Sequence, residues 1–375
     1  MAREHTIRER ILAVYRGETP DRVPFMLDLS HWFYHRHHRP WDLSATYEEP
    51  EYDLIDFHRK AGIGFYMPNL GSFYSTSYPS DIKASVEKSP DGRTIIWSFE
   101  TPLGKIRRAR QWMDQTYAWG ITEYGVHNER DLAVLARALK NRAFAPRWDQ
   151  YRRWQEYVGD TGVVYLPMPY SAMGQLLHYW MGIENVVYAS CDWPQPLGEA
   201  IDIINRNNLR LVDLFCTSPA EIVIMGDNFS SDIQSPSFFD RWSRAYYREA
   251  IDRLHQAGKF VAVHIDGRLR GALKMIRETG ADCADAVTPL PMGDLTPAEC
   301  REEAGNGFIL SGGVSPDLWL PETDIESFKG AALDWIALKD KSSRLIANAG
   351  DQVPPNAVEE RIRLMRDMVE TLGKY

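Results

Sequence analysis

Short apolar runs rich in β-branched residues alternate along this chain with longer segments of helical period. That rhythm constrains the fold more than any other feature. The runs are "RVPFML" (22–27), "GFYMP" (64–68), "GVVYLPM" (162–168), "EIVIMG" (221–226), "KFVAVHI" (259–265), "ADCADAV" (281–287), "GFILSG" (307–312) and "RLIANAG" (344–350). The longer segments between the later runs are of helix length, which is the pattern of parallel β/α units. Eight such steps predict a TIM (β/α)8 barrel, with a doubly wound open sheet as the alternative. Helices are expected at 236–257, 268–279, 296–304, 324–338 and 355–372. The first of these opens with Ser235 placed as N-cap and Pro236 at the first helical position. The N-terminal stretch "MAREHTIRERILAVYRGE" is also helical in pattern.

Residues 70–125 break the rhythm. "IKASVEKSPDGRTIIWSFETPLGKIRRARQWM" alternates, and "SPDGR" signals a turn between two strands. The expectation is one barrel domain over 1–375, with an antiparallel β insertion between its second and third strands. The insertion either flanks the mouth of the barrel or decorates the surface.

Composition narrows the class. The 375 residues are 44% apolar and 25% charged, as in a globular protein with ample core. A formal charge of −9 and a pI near 5.6 argue against nucleic acid or an anionic membrane as main partner. No run approaches the roughly 18 apolar residues of a membrane span. The charged N-terminus lacks the apolar core of a secretion signal. Cys191, Cys216, Cys283 and Cys300 are scattered without CxxC spacing, so a reducing cytoplasm is the expected location.

In a β/α barrel the functional groups come from the carboxyl ends of the strands. Those positions hold Asp28, Asn69, Tyr170, Asp227 with Asn228, His264 with Asp266, Asp285 with Thr288, Ser311, and Asp351. Each aspartate also suits a helix cap or a turn. His264 sits in an apolar strand two residues before Asp266, and alternation puts both on one face. Such a pair can bind a metal, or a carboxylate can orient a base; a satisfied core histidine is the plainer alternative. Trp32, Phe33, Tyr34, Tyr66, Tyr165, Tyr170 and Trp319 lie near strand ends, where they either clamp an aromatic ring or belong to the core. The "HRHH" run at 35–38 reads as a solvated or lid loop, with a metal site as the other reading.

In order along the chain, "RERILAVYRGETPDRVPF", "TPLGKIRRA", "GDN…SPSFFDRW", "GKFVAVHIDGRL", "LSGGVSPDLWLP" and "GDQVPPNA" resemble the uroporphyrinogen decarboxylase superfamily. That superfamily also contains cobalamin-dependent methyltransferases. The resemblance spans roughly residues 6–372, and it implies a TIM barrel. The true decarboxylases resemble one another in an Arg-Gln-Ala-Gly-Arg segment after the first strand, which binds tetrapyrrole carboxylates. Here that place holds "DLSHWFYHRHHRPW", with Arg36 and Arg39 but without the motif. The coenzyme M-type methyltransferases resemble one another in a zinc-binding His-x-Cys pair on the fifth strand, with a later cysteine. Here the pair is His264-Ile265-Asp266, and "LSGGVSPD" has no cysteine. A harder nitrogen and oxygen site would then take zinc or another divalent metal through His264, Asp266, Asp285 and Asp351, while Cys283, one strand over, reads first as a buried apolar thiol and otherwise as a further ligand. The cobalamin signature Asp-x-His-x-x-Gly is only half present, with Ala262 at the Asp position before His264 and Gly267. Corrinoid is therefore expected only on a separate partner protein.

The expected function is metal-dependent methyl transfer from a small, methoxylated aromatic substrate to such a corrinoid protein. His264, Asp227 and Asp28 are the candidate catalytic residues. Trp32, Tyr34, Tyr170, Asn228 and Trp319 are the candidate substrate contacts. A metal or a general acid would stabilise the departing oxygen. Decarboxylation of a smaller acid is the alternative, with Asp28 as proton donor and Arg36, Arg39 and Arg268 on the carboxylate. A ligand-binding barrel without turnover is another. The family resemblance also makes a homodimer the expected assembly.

Overall fold

Parallel strands covered by helices are buried on both faces, so they appear in sequence as nearly unbroken apolar runs. In the computed structural model, which describes residues 4–37, 48–67 and 73–375, the eight runs form a ring of eight parallel strands. They are β1 (22–27), β2 (63–67), β3 (Leu166–Met168, led by 162–165), β4 (Ile222–Phe229), β5 (Phe260–Ile265), β6 (Cys283–Val287), β7 (Ile309–Val314) and β8 (Leu345–Ala349). Strands β3 to β8 pair in sequence order. Single parallel bridges close the ring: Phe25 with Ala347, Met26 with Gly64, and Phe65 with Gly162. The chain is therefore a TIM barrel, and the open sheet is set aside. His38, Arg39 and Asn69 lie outside the described residues.

The barrel interior is layered. Met26, Tyr66, Ile222, Ile224, Ala262, Cys283, Ile309 and Ile346 form one buried cluster inside it. The helix Ile7–Arg16 closes this cluster from the N-terminal side with Ile11, Val14 and Tyr15, and a capping box of Thr6 and Glu9 starts that helix. Cys283 is one of these core residues. The alternate positions, such as Val261, Val263, Ala284, Leu310 and Ala347, face outward into the helices. No helix among the described residues is long and apolar enough to cross a membrane.

The expected helices form, with shorter bounds. Segment 236–257 is two helices, Pro236–Trp242 and Arg244–Gln256, broken at Ser243. The Ser243 hydroxyl donates to Gln234 Oε1 instead of facing solvent, and that bond holds the bend. Pro236 is where the sequence placed it, but Ser235 makes no side-chain cap.

The insertion is a four-stranded antiparallel sheet of Lys83–Lys88, Thr94–Thr101, Gly104–Met113 and Ala118–Glu123, turning at "SPDGR". It stands over the carboxyl ends of the barrel strands. His31, just after β1, contacts the Tyr117 carbonyl through Nε2 at 2.8 Å. The backbone N–H groups of Gly125 and Val126 donate to the Trp180 carbonyl beyond β3.

Candidate active site at the barrel mouth

Two residues beyond the apolar interior layer, the same strands present polar side chains. Met26 is followed by Asp28, Ala262 by His264, Cys283 by Asp285, Ile309 by Ser311 and Ile346 by Asn348. With a side-chain period of two, this second set also points inward, one layer nearer the mouth. An apolar run ends on a histidine here because the layer changes from core to site.

Register fixes the central pair. Residue 285 of β6 lies directly beside residue 264 of β5. His264 Nδ1 donates to Asp285 Oδ2 at 3.2 Å. The other carboxylate oxygen of Asp285 accepts from the Ser311 hydroxyl at 3.1 Å. Asn348 Nδ2 donates to Tyr66 Oη at 3.2 Å and to Ser311 Oγ at 3.4 Å. Asp285 is fully buried. Nε2 of His264 faces Asp351 Oδ1 at 3.9 Å.

These neighbours set the charge of the ring. Burial pulls the imidazole pKa down, but the hydrogen bond to Asp285 and the charges of Asp351, Asp285 and Asp266 outweigh it and push His264 up to about 9. Burial, with the charges of Asp266 and Asp28, raises Asp351 to about 6 against the opposing pull of His264. Burial, then the charges of Asp285 and Asp28, keep the Tyr66 hydroxyl protonated. At neutral pH the mouth thus holds an imidazolium with one nitrogen anchored and the other turned to a carboxylate. Such a group can deliver a proton to an atom at the mouth.

Two points of backbone strain lie beside these residues. Ala286 has φ 62° and Asn228 has φ 45°, both in the left-handed region that costs a side-chain-bearing residue about 1–3 kcal/mol. Each adjoins a break in strand register, where the chain re-aims its side chains.

The other expected site residues divide by environment. Asp28 is tied at the mouth, with Oδ1 accepting from the Ser30 N–H at 2.9 Å and Oδ2 from Gln352 at 3.0 Å. It therefore both starts the helix Ser30–Arg36 and links β1 to the segment after β8. Asp266 shares the strand face expected of it only in part. Strand β5 ends at Ile265, and Gly267 turns the chain with φ 128°. Asp266 is consequently an exposed rim residue that accepts from Asn228 Nδ2 at 3.2 Å. The carboxylate that orients His264 is Asp285 from the next strand, not its sequence neighbour. Tyr170 donates to Asn228 Oδ1 at 2.6 Å, which puts both at the rim.

Asp227 is buried below the rim, where it accepts from the Ser171 N–H at 2.6 Å and the Tyr247 hydroxyl at 2.7 Å. It clamps the loop after β3 onto a helix. Trp32, Tyr34 and Trp319 are core residues. Trp32 donates to the Ala357 carbonyl, Tyr34 to Glu51, and Trp319 to the Val314 carbonyl. Their polar atoms are spent inside the protein, so packing accounts for them. Arg36 pairs with Glu359 at 3.0 Å, and Arg268 is exposed. Tyr66, Ser311 and Asn348 complete the polar layer. Asn348 was missed as a site residue, although its place two residues after Ile346 marks it.

The donor atoms do not form a coordination set as they stand. Asp285 is engaged by His264 and Ser311, Asp266 is at the rim, and among the described residues no group of three or more His, Cys, Asp or Glu side chains is gathered to hold a metal ion.

Comparison with known proteins agrees with this architecture. A methyltransferase from Methanosarcina mazei superposes with a TM-score of 0.64 over 98% of this chain and 99% of that one, at 15% identity. A type I 3-dehydroquinate dehydratase from Clostridium difficile matches far more weakly, with a TM-score of 0.31 and 10% identity over 65% of this chain and 77% of that one. No significant match to a curated protein sequence was found. The sequence model of the uroporphyrinogen decarboxylase (URO-D) family matches residues 168–372, more than half of the chain, including β4 to β8 and His264, Asp285 and Asp351. The chain belongs to the uroporphyrinogen decarboxylase family.

Proposed function

We propose that this barrel is a methyltransferase that moves a methyl group from a small methoxylated aromatic substrate to a corrinoid carried by a separate protein. The observation that carries the reading is the imidazolium of His264, anchored by Asp285 and turned toward Asp351 at the mouth. Cleaving a methyl ether leaves an aryl oxide, a poor leaving group unless it is protonated as the bond breaks. The C–O electron pair goes to the oxygen, which takes the proton from His264 Nε2. Asp285 holds the ring in place through Nδ1, and Asp351 stabilises the cation before transfer. The corrinoid, when docked, supplies the nucleophile that takes the methyl group. The fold shared with a methyltransferase is consistent with this assignment.

The acidic mouth favours methyl transfer over decarboxylation of a porphyrinogen. A substrate with many carboxylates calls for cations around the reacting group itself, whereas Asp266, Asp285 and Asp351 are the charged neighbours of His264 and the guanidiniums of Arg108 and Arg142 lie in a separate cavity.

The test is methyl transfer from a panel of methoxybenzenes to reduced cobalamin, followed by absorbance, with carbon dioxide release from small aromatic acids measured in parallel. Transfer that falls about 100-fold or more in His264→Ala supports the assignment. Carbon dioxide release without methyl transfer replaces it with decarboxylation. Neither activity leaves the ligand-binding barrel. Elemental analysis of the same wild-type and His264→Ala proteins, purified without chelator, tests zinc or another divalent metal at this site. Near-stoichiometric metal lost in the variant would make His264 a ligand instead of the acid.

A further inference from the structure

Strand Gly104–Met113 carries two arginines whose side chains turn back toward the barrel. Arg108 stacks on Trp97 with its guanidinium carbon 4.1 Å from the ring centroid, and it also lies 4.9 Å from Tyr179 and 5.3 Å from Trp180. Arg110 lies 5.1 Å from the same Tyr179 ring. The Nε atoms of both are buried without a hydrogen-bond partner. Neither makes an ion pair with any described residue.

A further guanidinium shares a cavity with Arg108. Arg142 is buried and donates only to neutral acceptors: the Asn207 and Asn208 side chains and the Leu139 carbonyl. Arg108 and Arg142 line one cavity of about 420 Å³, together with Trp97, Tyr170, Tyr179 and Trp180. Tyr170 donates to Asn228, which donates to Asp266. Tyr170 thus joins the cavity wall to the rim of the barrel mouth.

Guanidinium groups held near one another and away from carboxylates are electrostatically costly. Burial, followed by the charge of Arg110, lowers the Arg108 pKa to about 10. Stacking on aromatic rings offsets only part of that cost. An oxyanion would complete the arrangement, because the planar guanidinium fork matches a carboxylate or phosphate. The surrounding rings would cover a flat apolar body attached to that oxyanion. We infer that this cavity is a binding site for a small aromatic ligand bearing a carboxylate or phosphate, with Arg108 and Arg142 facing the anion and Trp97, Tyr179 and Trp180 against its ring. The inference concerns binding alone and does not depend on methyl transfer.

Benzoate, phenyl phosphate and uncharged benzamide, titrated into the full-length protein, test it. Tryptophan fluorescence reports the cavity through Trp97 and Trp180, and calorimetry gives an independent affinity. One charge-assisted hydrogen bond corresponds to roughly a tenfold change or more in affinity. At least one anionic probe should therefore bind about tenfold tighter than benzamide. Arg108→Gln should lose about tenfold, and Arg108→Lys should lose less than Arg108→Gln. Preference for benzoate assigns a carboxylate ligand, and preference for phenyl phosphate assigns a phosphate. Benzamide binding as tightly as both anions, no binding by any probe, or Arg108→Gln binding like wild type with unchanged circular dichroism would each overturn the site. Should Arg108→Gln fail to fold, Arg108→Lys and the comparison of the anions with benzamide carry the decision.

Discussion

At the carboxyl end of the barrel, His264 meets carboxylates from β6 and from the segment after β8, whereas Arg108, Arg110 and Arg142 meet aromatic rings and amides. The first region is internally compensated. Its central charge is held by partners whose remaining atoms are themselves bonded, in the chain from His264 through Asp285 and Ser311 to Asn348. The second region has charge without a counter-charge. A compensated network fixes one geometry and one protonation state, which is what proton transfer needs. An uncompensated cluster gains most when an anion arrives, which is what binding needs. The contrast is open to attack from either side.

The largest effect is expected from His264→Ala. It removes the proton donor and leaves Asp285 buried without its cation. Breaking a buried pair from one side costs about 3–5 kcal/mol, so the urea midpoint should fall sharply along with activity. A variant as stable as wild type would mean that Asp285 is already neutral, and the mouth would not be the compensated network described.

The next effect is a dependence on pH. The folded pKa of His264, about 9, lies above its unfolded value of 6.5. Its stabilising contribution is complete below pH 6.5 and is lost as pH rises through about 9. Asp351 is also raised, from 3.8 to about 6, chiefly by burial. The fold favours its protonated form, so this contribution is present below pH 3.8 and lost as pH climbs to about 6. Denaturation curves across this range should show stability falling in both windows, and His264→Ala should abolish the upper one. Activity needs a protonated His264 beside an ionised Asp351, so its profile should be bell-shaped with limbs near 6 and 9. A stability curve for His264→Ala that runs parallel to wild type between pH 6.5 and 9 would remove His264 as the titrating group.

The backbone ranks third. Gly267 has φ 128°, and a Cβ there would run into Ser230 Oγ. Gly267→Ala should destabilise the protein by about 1 kcal/mol or more and displace Asp266 at the rim. The Arg108 cavity, built on another element, should bind its anionic probe as before. Equal loss in both regions would show that they are one site.

How far these regions could be read from sequence follows from what each depends on. The barrel was legible because its strands are buried on both faces and stand out as apolar runs, even where β1 and β2 are joined to their neighbours by single bridges. His264 was legible because it interrupts such a run. Its partner was legible only as one of three aspartates grouped with it, because which carboxylate faces it depends on the register between β5 and β6 and on the turn at Gly267. Trp32, Tyr34 and Trp319 misled because nearness to a strand end in sequence does not say whether a ring turns toward the mouth or under the helices. The arginines of "KIRRAR" were visible, but their meaning was not. It depends on Tyr179 and Trp180 from a distant segment, and on Arg107 alone of the three having a described carboxylate partner, Glu123.

Ser311→Ala is the gentlest probe and the most discriminating. It deletes one donor to Asp285 Oδ1 and leaves the His264 contact on Oδ2 in place. The stability cost of a single hydrogen bond is about 0.5–1.5 kcal/mol. The informative readout is the upper limb of the pH profile. A carboxylate relieved of one hydrogen bond carries more of its charge toward the imidazolium and holds the proton more tightly. The limb near 9 should therefore move upward, while the lower limb, set by Asp351, stays in place. A stability loss with neither limb displaced would reduce Ser311 to packing, and the compensated network would end at Asp285.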